Sequence, residues 1–231
     1  MRLYRRFVVF LLAAALPAAL SAYVSPLPSP AAPPATPSLL LVASSKVIHP
    51  VFRETVILVT KHEDEGHIGI IVNRSLEIPL NLILPSLPGA EKHMLHRGGP
   101  VDPSQISFLF RGGDAEPGSL TVAKQTYFSS SASLLGQLLG GARNNSGLRV
   151  VSGYAGWAPE QLESEIARGD WHVLPVDSAI LFDRPLAAIW PELYQRATQV
   201  SARQDRLKAC GPRQTPAACK DQTKVARRGF F

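Results

Sequence analysis

The segment Gly153-Tyr154-Ala155-Gly156-Trp157, followed at once by PEQLESEIARG and then Trp171, constrains the fold of this chain more than any other. Glycine lets the backbone turn through positive φ or approach another strand closely. Pro159 fits the first position of a helix, where its missing N–H costs nothing. Leu162 and Ile166 lie four apart and form one buried stripe, and Gly169 is a natural C-cap. The pattern predicts a tight strand-to-helix corner in which Tyr154 and Trp157 cover the core beside Leu162 and Ile166. A strand at Leu148–Val151 feeds the corner and a strand at Trp171–Val176 leaves it. The glycine pair before a helix N-terminus could also receive an anion, but Glu160 in the expected first turn already occupies that field.

The remaining pattern mixes hairpins with helices. Leu39–Ala43 reads as a short apolar strand. The β-branched runs Glu54–Thr60 and Ile68–Val72 flank the polar loop Lys61–His67 and read as a hairpin that turns at Gly66. Ile78–Leu87 is interrupted by prolines, so any helix there is short. Gly98-Gly99-Pro100-Val101 reads as a turn. Ile106–Phe110 and Leu120–Ala123 are further strands. Ser133–Gly140 reads as a serine-capped helix whose stripe is Leu134, Leu135, Leu138 and Leu139. Asp177 can cap a short SAILF helix, and a last helix covers Leu186–Ala197, kinked or restarted at Pro191. Hairpins beside helices predict an α+β domain rather than a doubly wound sheet.

The two ends do not read as folded protein. Residues 1–22 join Arg2, Arg5 and Arg6 to the apolar run Phe7–Leu16, which reads as a signal peptide or an N-terminal membrane anchor. Organelle targeting stays open as an alternative, since no acid precedes Glu54. Residues 23–38 form a Pro/Ala/Ser-rich linker, whose part 25–38, extended, reaches about 40 Å and suits a tethered N-terminus. The domain is expected at 39–200, exported to the periplasm or tethered at the inner membrane. Residues 201–231 are expected to be a basic, disordered tail. The whole chain carries +6, yet 23–200 carries 13 basic and 16 acidic residues, while 201–231 carries 8 and 2. The body therefore offers no basic face for nucleic acid. The tail could meet an anionic membrane surface or another polyanion. Cys210 and Cys219 both lie in it, and export would permit a disulfide closing that small loop.

Candidate chemistry is sparse. His62-Glu63-Asp64-Glu65-Gly66-His67 clusters metal-binding types, but its histidines are five apart with a glycine between them, against the i,i+4 spacing of a helical zinc motif. A solvated hairpin loop is the simpler reading. His49, His93, His96 and His172 are scattered, and no nucleophile elbow occurs. Asn73-Arg74 closes the second hairpin strand, where Arg74 could grip a carboxylate or phosphate or else satisfy backbone carbonyls. The expected binding surface combines His62, Asn73, Arg74, Gly98, Gly99, Tyr154 and Trp157. No catalytic, cofactor or metal residue is assigned.

Four blocks in order resemble the YqgE/AlgH family: LLVAS at 40–44 with Pro50 and Phe52, His62 and Gly66 leading to IGIIVNR at 68–74, GGPV at 98–101, and GYAGW with Gln161–Glu163, Glu165-Ile166 and Trp171. The resemblance covers about Leu39–Ala197. It implies a compact α+β unit with a mixed, split β-sheet, partly closed like a barrel and flanked by helices. It implies no established reaction or cofactor, and a role of regulatory type. His49, Ser75 and Phe110 depart from the family pattern of Asp, Pro and His. The reading is a non-enzymatic binding or regulatory domain with a protein partner. The alternative is an enzyme or ligand-binding protein with a pocket near Asn73/Arg74, Gly98-Gly99 and Tyr154/Trp157.

Overall fold

The structure, a computed structural model, describes residues 38–62, 66–112, 115–141 and 147–210. Among these residues ten strands and four helices follow in order: β1 (Leu39–Ala43), β2 (Val56–His62), β3 (Gly66–Ile71), β4 (Ser75–Pro79), β5 (Met94–Arg97), β6 (Val101–Arg111), β7 (Ser119–Ala123), β8 (Thr126–Ser129), α1 (Ala132–Leu139), β9 (Gly147–Trp157), α2 (Gln161–Arg168), β10 (Trp171–Pro175), α3 (Ser178–Phe182) and α4 (Leu186–Cys210). Short 3-10 turns at Leu80–Leu82 and Ala90–Lys92 join β4 to β5.

The strands curl into a half-barrel in the order β10-β1-β2-β3-β9-β6-β8-β7. The sheet splits around β9. Its C-terminal end pairs antiparallel with β3 (His67 opposite Trp157), while residues 150–152 pair parallel with β5. Its other edge takes β6. The expected mixed, split and partly barrel-like α+β architecture is what the chain forms.

Strand alternation sorts the apolar residues into three cores. Leu40, Val42, Leu58, Val72, Leu109 and Val151 face α3 and α4, where Ile180, Leu181, Ile189 and Leu193 cover them. On the opposite side of β1–β3, Leu41, Ala43, Ile57, Val59 and Ile71 meet Trp157, Trp171 and Leu162 of α2. Opposite the first core on β5, β6 and β9, Leu95, Phe108, Phe110 and Val150 meet the leucine stripe of α1. Both faces of β1 and β2 are therefore covered, which is why they read as continuous apolar runs rather than alternating ones.

Several expectations are corrected. GYAGW is strand, not corner: β9 runs through Trp157 and the chain turns at 158–160. Pro159 sits in that turn rather than at the first helical position. Glu160 is the N-cap, at φ +65° and without a side-chain cap bond. Gln161 Oε1 accepts the Ala158 N–H instead, so α2 starts two residues later than its proline suggests. Gly153 has the left-handed φ of +71° expected of it, whereas Gly156 has none. The serine that caps α1 is Ser131, which accepts from Leu134 N–H. Strands β4, β5 and β8 went unread, since prolines and short lengths hide their alternation. The last helix passes through Pro191 and continues to Cys210, ten residues beyond the expected boundary at 200. Residues 201–210 are mostly good helix formers, and Gly211-Pro212 is the first stop signal. The rest of the expected tail lies outside the described residues, as do Cys219, Glu63–Glu65 and the segments 1–22 and 23–37. Among the described residues no helix is long and apolar enough to cross a membrane.

Candidate functional site

The residues singled out from sequence divide into two groups. Asn73, Arg74, Gly98, Gly99 and Tyr154 do come together, at the split in the sheet. Asn73 is buried, accepts Val56 N–H at 2.8 Å through Oδ1 and donates through Nδ2 to Glu54 O at 2.9 Å. Arg74 Nη2 donates to Arg53 O at 2.8 Å. Gly98 bridges the split: Ile71 N–H donates to its carbonyl (2.7 Å) and its own N–H donates to Ser152 O (2.8 Å). Gly98 and Gly99 are buried against the β9 main chain. The expected turn is thus packed within the sheet, and the Gly98 N–H is taken by Ser152. Tyr154 packs on the core beneath α3 and α4. Trp157 points to the opposite face, into the core beneath α2. The two aromatics thus do not form one corner. His62 closes the β2–β3 ladder opposite Gly66. Of the positions that depart from the family pattern, His49 Nδ1 accepts Val51 N–H, Ser75 Oγ accepts Glu77 N–H, and Phe110 is buried.

The same split holds a polar pair that sequence reading passed over. Arg149 of β9 is 7% exposed and donates to Val72 O, a carbonyl left open where β3 ends. Burial pulls its guanidinium down to about 10. His96 of β5 lies beside it. Burial first, and the Arg149 charge second, lower its imidazole to about 4, against a smaller upward pull from the Arg74 carbonyl. Its Nδ1 is buried without a hydrogen-bond partner. A histidine neutral when folded and basic when unfolded stabilises the fold fully above its unfolded pKa near 6.5, and loses that contribution as pH falls toward 4. His93 and His172, also lowered by burial, act in the same direction. Denaturation midpoints measured from pH 7 to pH 4 should show a loss of about 2–3 kcal/mol attributable to His96. In His96→Gln that part of the slope should vanish. An unchanged slope would refute the assignment.

A concave site forms elsewhere, at the end of the half-barrel where β6, the β7–β8 turn, the exit of β10, α3 and α4 meet. It is an open depression of about 590 Å³. Arg111, the last residue of β6, is fixed against its back wall. Its Nη2 donates to Asp183 Oδ1 at 2.8 Å and to Ser178 O at 3.2 Å, and its guanidinium carbon lies 5.0 Å from the centre of the Phe182 ring. Such a stacked, paired arginine is held in one orientation. Asp177 caps α3 by accepting Ala179 N–H at 3.0 Å. Ser178 Oγ accepts from Thr126 Oγ1 at 2.8 Å, which ties α3 to β8. Both carboxylates and the hydroxyl of the lining are thus engaged. Lys124, in the β7–β8 turn, and Arg196, on α4, are exposed, and among the described residues neither has an ion-pair partner. Sequence reading named Asp177 as a helix cap and missed the others. They come from five places between 111 and 196, and no local spacing links them.

Comparison with known proteins shows the family and the fold. The AlgH-like family (DUF179) matches residues 40–201. A UPF0301 protein of Sphingopyxis alaskensis is 35% identical over 164 residues, covering 68% of this chain and 87% of that protein. One from Chlorobium luteolum is 32% identical over 152 residues, covering 65% and 80%. The solution structure of the AlgH protein from Pseudomonas aeruginosa superposes with a TM-score of 0.56 at 28% identity, covering 68% of this chain and 86% of that one. A crystal structure of a Corynebacterium diphtheriae protein superposes at 0.58 with 22% identity over 71% and 87%, which speaks to the fold alone. With the match running from β1 into α4, this chain belongs to the AlgH-like family.

Proposed function

We propose that this chain is a non-enzymatic binding domain of regulatory type, exported or tethered at the inner membrane by its N-terminal segment, and that its ligand sits in the cleft around Arg111. The observation that carries this reading is the division of charge there. The lining sets Arg111, Lys124 and Arg196 against Asp177 and Asp183, an excess of one positive charge, and among the described residues Lys124 and Arg196 have no ion-pair partner. Such a cleft attracts and holds an anionic group. With no imidazole or thiol in its lining, it is better suited to holding than to transforming. A protein partner carrying an acidic group, or an anionic membrane met through the basic residues after 210, fits the same polarity.

The test is to titrate the isotope-labelled full chain with a panel of small anions and neutral compounds, following amide shifts. Anions should move the amides of Lys124, Gln125 and Ala179, and neutral compounds should not. Replacing both Lys124 and Arg196 by glutamine should weaken anion binding about 100-fold, at roughly tenfold per lost charged contact. If no anion shifts these amides, the cleft is not the binding site. Cell fractionation with mass analysis of the mature N-terminus tests the placement, and a soluble cytoplasmic chain with its first residues intact would reject it.

A further inference from the structure

We infer that the β4–β5 hairpin is an acid-sensitive flap: protonation of His96 beside the buried Arg149 promotes its partial opening from β9. The hairpin is attached along one seam. Among the described strands β4 pairs only with β5, and β5 meets β9 through three parallel residue pairs, Leu95–Arg97 against Val150–Ser152. Main-chain bonds from Gly98 N–H to Ser152 O and from Ile71 N–H to Gly98 O close the seam. Leu80, Ala90 and Leu95 anchor the hairpin against the leucines of α1. A supersecondary unit of this kind can open at a lower free energy than the whole domain. His96 lies in the seam, paired with Val151. A neutral imidazole has one N–H and one acceptor nitrogen, whereas an imidazolium donates from both. Nδ1 of His96 is buried with no partner, so a proton added there finds no acceptor. The charge it brings also meets a like charge. Arg149 is buried, its guanidinium donates to the Val72 carbonyl, and among the described residues it has no carboxylate partner. A second buried positive charge without a counter-ion is costly, and opening the seam places the imidazolium in water, where both N–H groups are satisfied.

The groups around the imidazole oppose its charge. From β9 it meets the Arg149 guanidinium, and from the link before β4 the Arg74 carbonyl, the smaller and opposite influence. Glu77 of β4 and Arg97 of β5 are exposed, and α1 carries no charged residue. Burial first and Arg149 second keep the closed form neutral down to about 4, against 6.5 for a free imidazole. Closure is therefore fully favoured above 6.5 and weakens as pH falls toward 4. His93 belongs to the same hairpin and is also lowered, mainly by burial, so it adds in the same direction.

Hydrogen exchange of the full chain at pH 7 and pH 5, corrected for intrinsic rates, tests this. The amides of Leu80, Arg97 and Gly98, bonded to His93 O, Arg74 O and Ser152 O, follow the hairpin. Those of Ala43 and Ser44, bonded to Thr55 O and Asp170 O, follow the body. At pH 5 the hairpin amides should be at least about tenfold less protected than the body amides. Their exchange should also depend less on added denaturant, since partial opening exposes less surface. From pH 7 to pH 5 the opening equilibrium of the hairpin should rise about 20-fold, the ratio that values of 6.5 open and about 4 closed require. In His96→Gln only the smaller rise owed to His93 should remain. The imidazole resonance of His96 in the parent chain gives a second reading that needs no variant, and it should stay that of a neutral ring at pH 5. Equal protection and equal denaturant dependence of hairpin and body would show that the hairpin leaves only when the whole domain unfolds, which overturns the flap. Hairpin exchange that ignores pH, or a His96 resonance that titrates near 6.5 in the folded chain, overturns the part assigned to His96.

Discussion

Gly99→Ala is expected to prevent stable folding. A Cβ at Gly99 would lie 2.0 Å from the carbonyl carbon of Tyr154 and 2.1 Å from its oxygen. These are main-chain atoms of β9, the strand shared by both parts of the sheet, so no side chain can rotate out of the way. The neighbouring positions interlock with it. A Cβ at Gly98 would meet Gly153 O at 2.1 Å, and one at Gly153 would meet both Gly99 O and Val101 O at 2.8 Å. Separating the two backbones would break the bonds from Gly98 to Ser152 and from Ile71 to Gly98 that close the split. The loss should exceed about 4 kcal/mol, the range reserved for steric conflict without relief. Chemical denaturation or hydrogen exchange of the purified variant checks it. The same change at Gly136 should have the opposite sign. Its Cβ would make an ordinary 3.7 Å contact with Leu87, and within α1 alanine is favoured over glycine by roughly 0.5–1 kcal/mol. A Gly99→Ala protein as stable as the parent would show that the two backbones can separate after all.

Removing the carboxylate of Glu165 should cost about 3 kcal/mol and should be partly rescued by glutamine. Trp157 Nε1 donates to Glu165 Oε2 at 2.9 Å and Trp171 Nε1 donates to the same oxygen at 2.8 Å. The rings meet edge to face with centres 6.3 Å apart, each 6% exposed. Gln161 Nε2 donates to the other oxygen at 3.0 Å. Glu165→Ala strands two indole N–H groups beneath α2, at about 1–3 kcal/mol for each buried donor left without an acceptor. Glu165 is itself only half-buried, so water relieves part of this. Glu165→Gln keeps one oxygen for both indoles and turns an amide toward Gln161, and the loss should fall to about 1 kcal/mol. Thermal unfolding followed by tryptophan emission reads both effects. Equal losses in the two variants would mean that charge, not the acceptor oxygen, secures the pair.

Legibility varied with the kind of signal. The hairpin of β2 and β3 was readable because unbroken β-branched runs are long enough to stand out from chance. The leucine stripe of α1 and the Gly169 cap of α2 were readable because helix periodicity and left-handed caps act within a few residues. The corner after GYAGW was read two to three residues early. Pro159 carries the same signal in a turn as at a helix start, and the reach of Gln161 back to Ala158 decided between them. Strands β4 and β5 were invisible, since their pairing partners give them their structure and their own sequences do not.

The candidate site follows the same division. Asn73 and Arg74 were correctly suspected of satisfying backbone carbonyls, a local duty that residue type discloses. The buried Arg149 and the cleft cations were beyond reach. An arginine in a strand gives no sign of whether solvent or a split sheet surrounds it, and Arg111, Lys124 and Arg196 meet only once the half-barrel has closed. By itself the sequence determined the fold class and the family, because the motif blocks and the periodicity that carry them lie within short segments. Only the tertiary structure decided that GYAGW is a strand crossed by two glycines, that its aromatics serve opposite cores, and that the concave site lies at the other end of the sheet. Those outcomes depend on contacts between segments tens of residues apart, and no short window of sequence contains them.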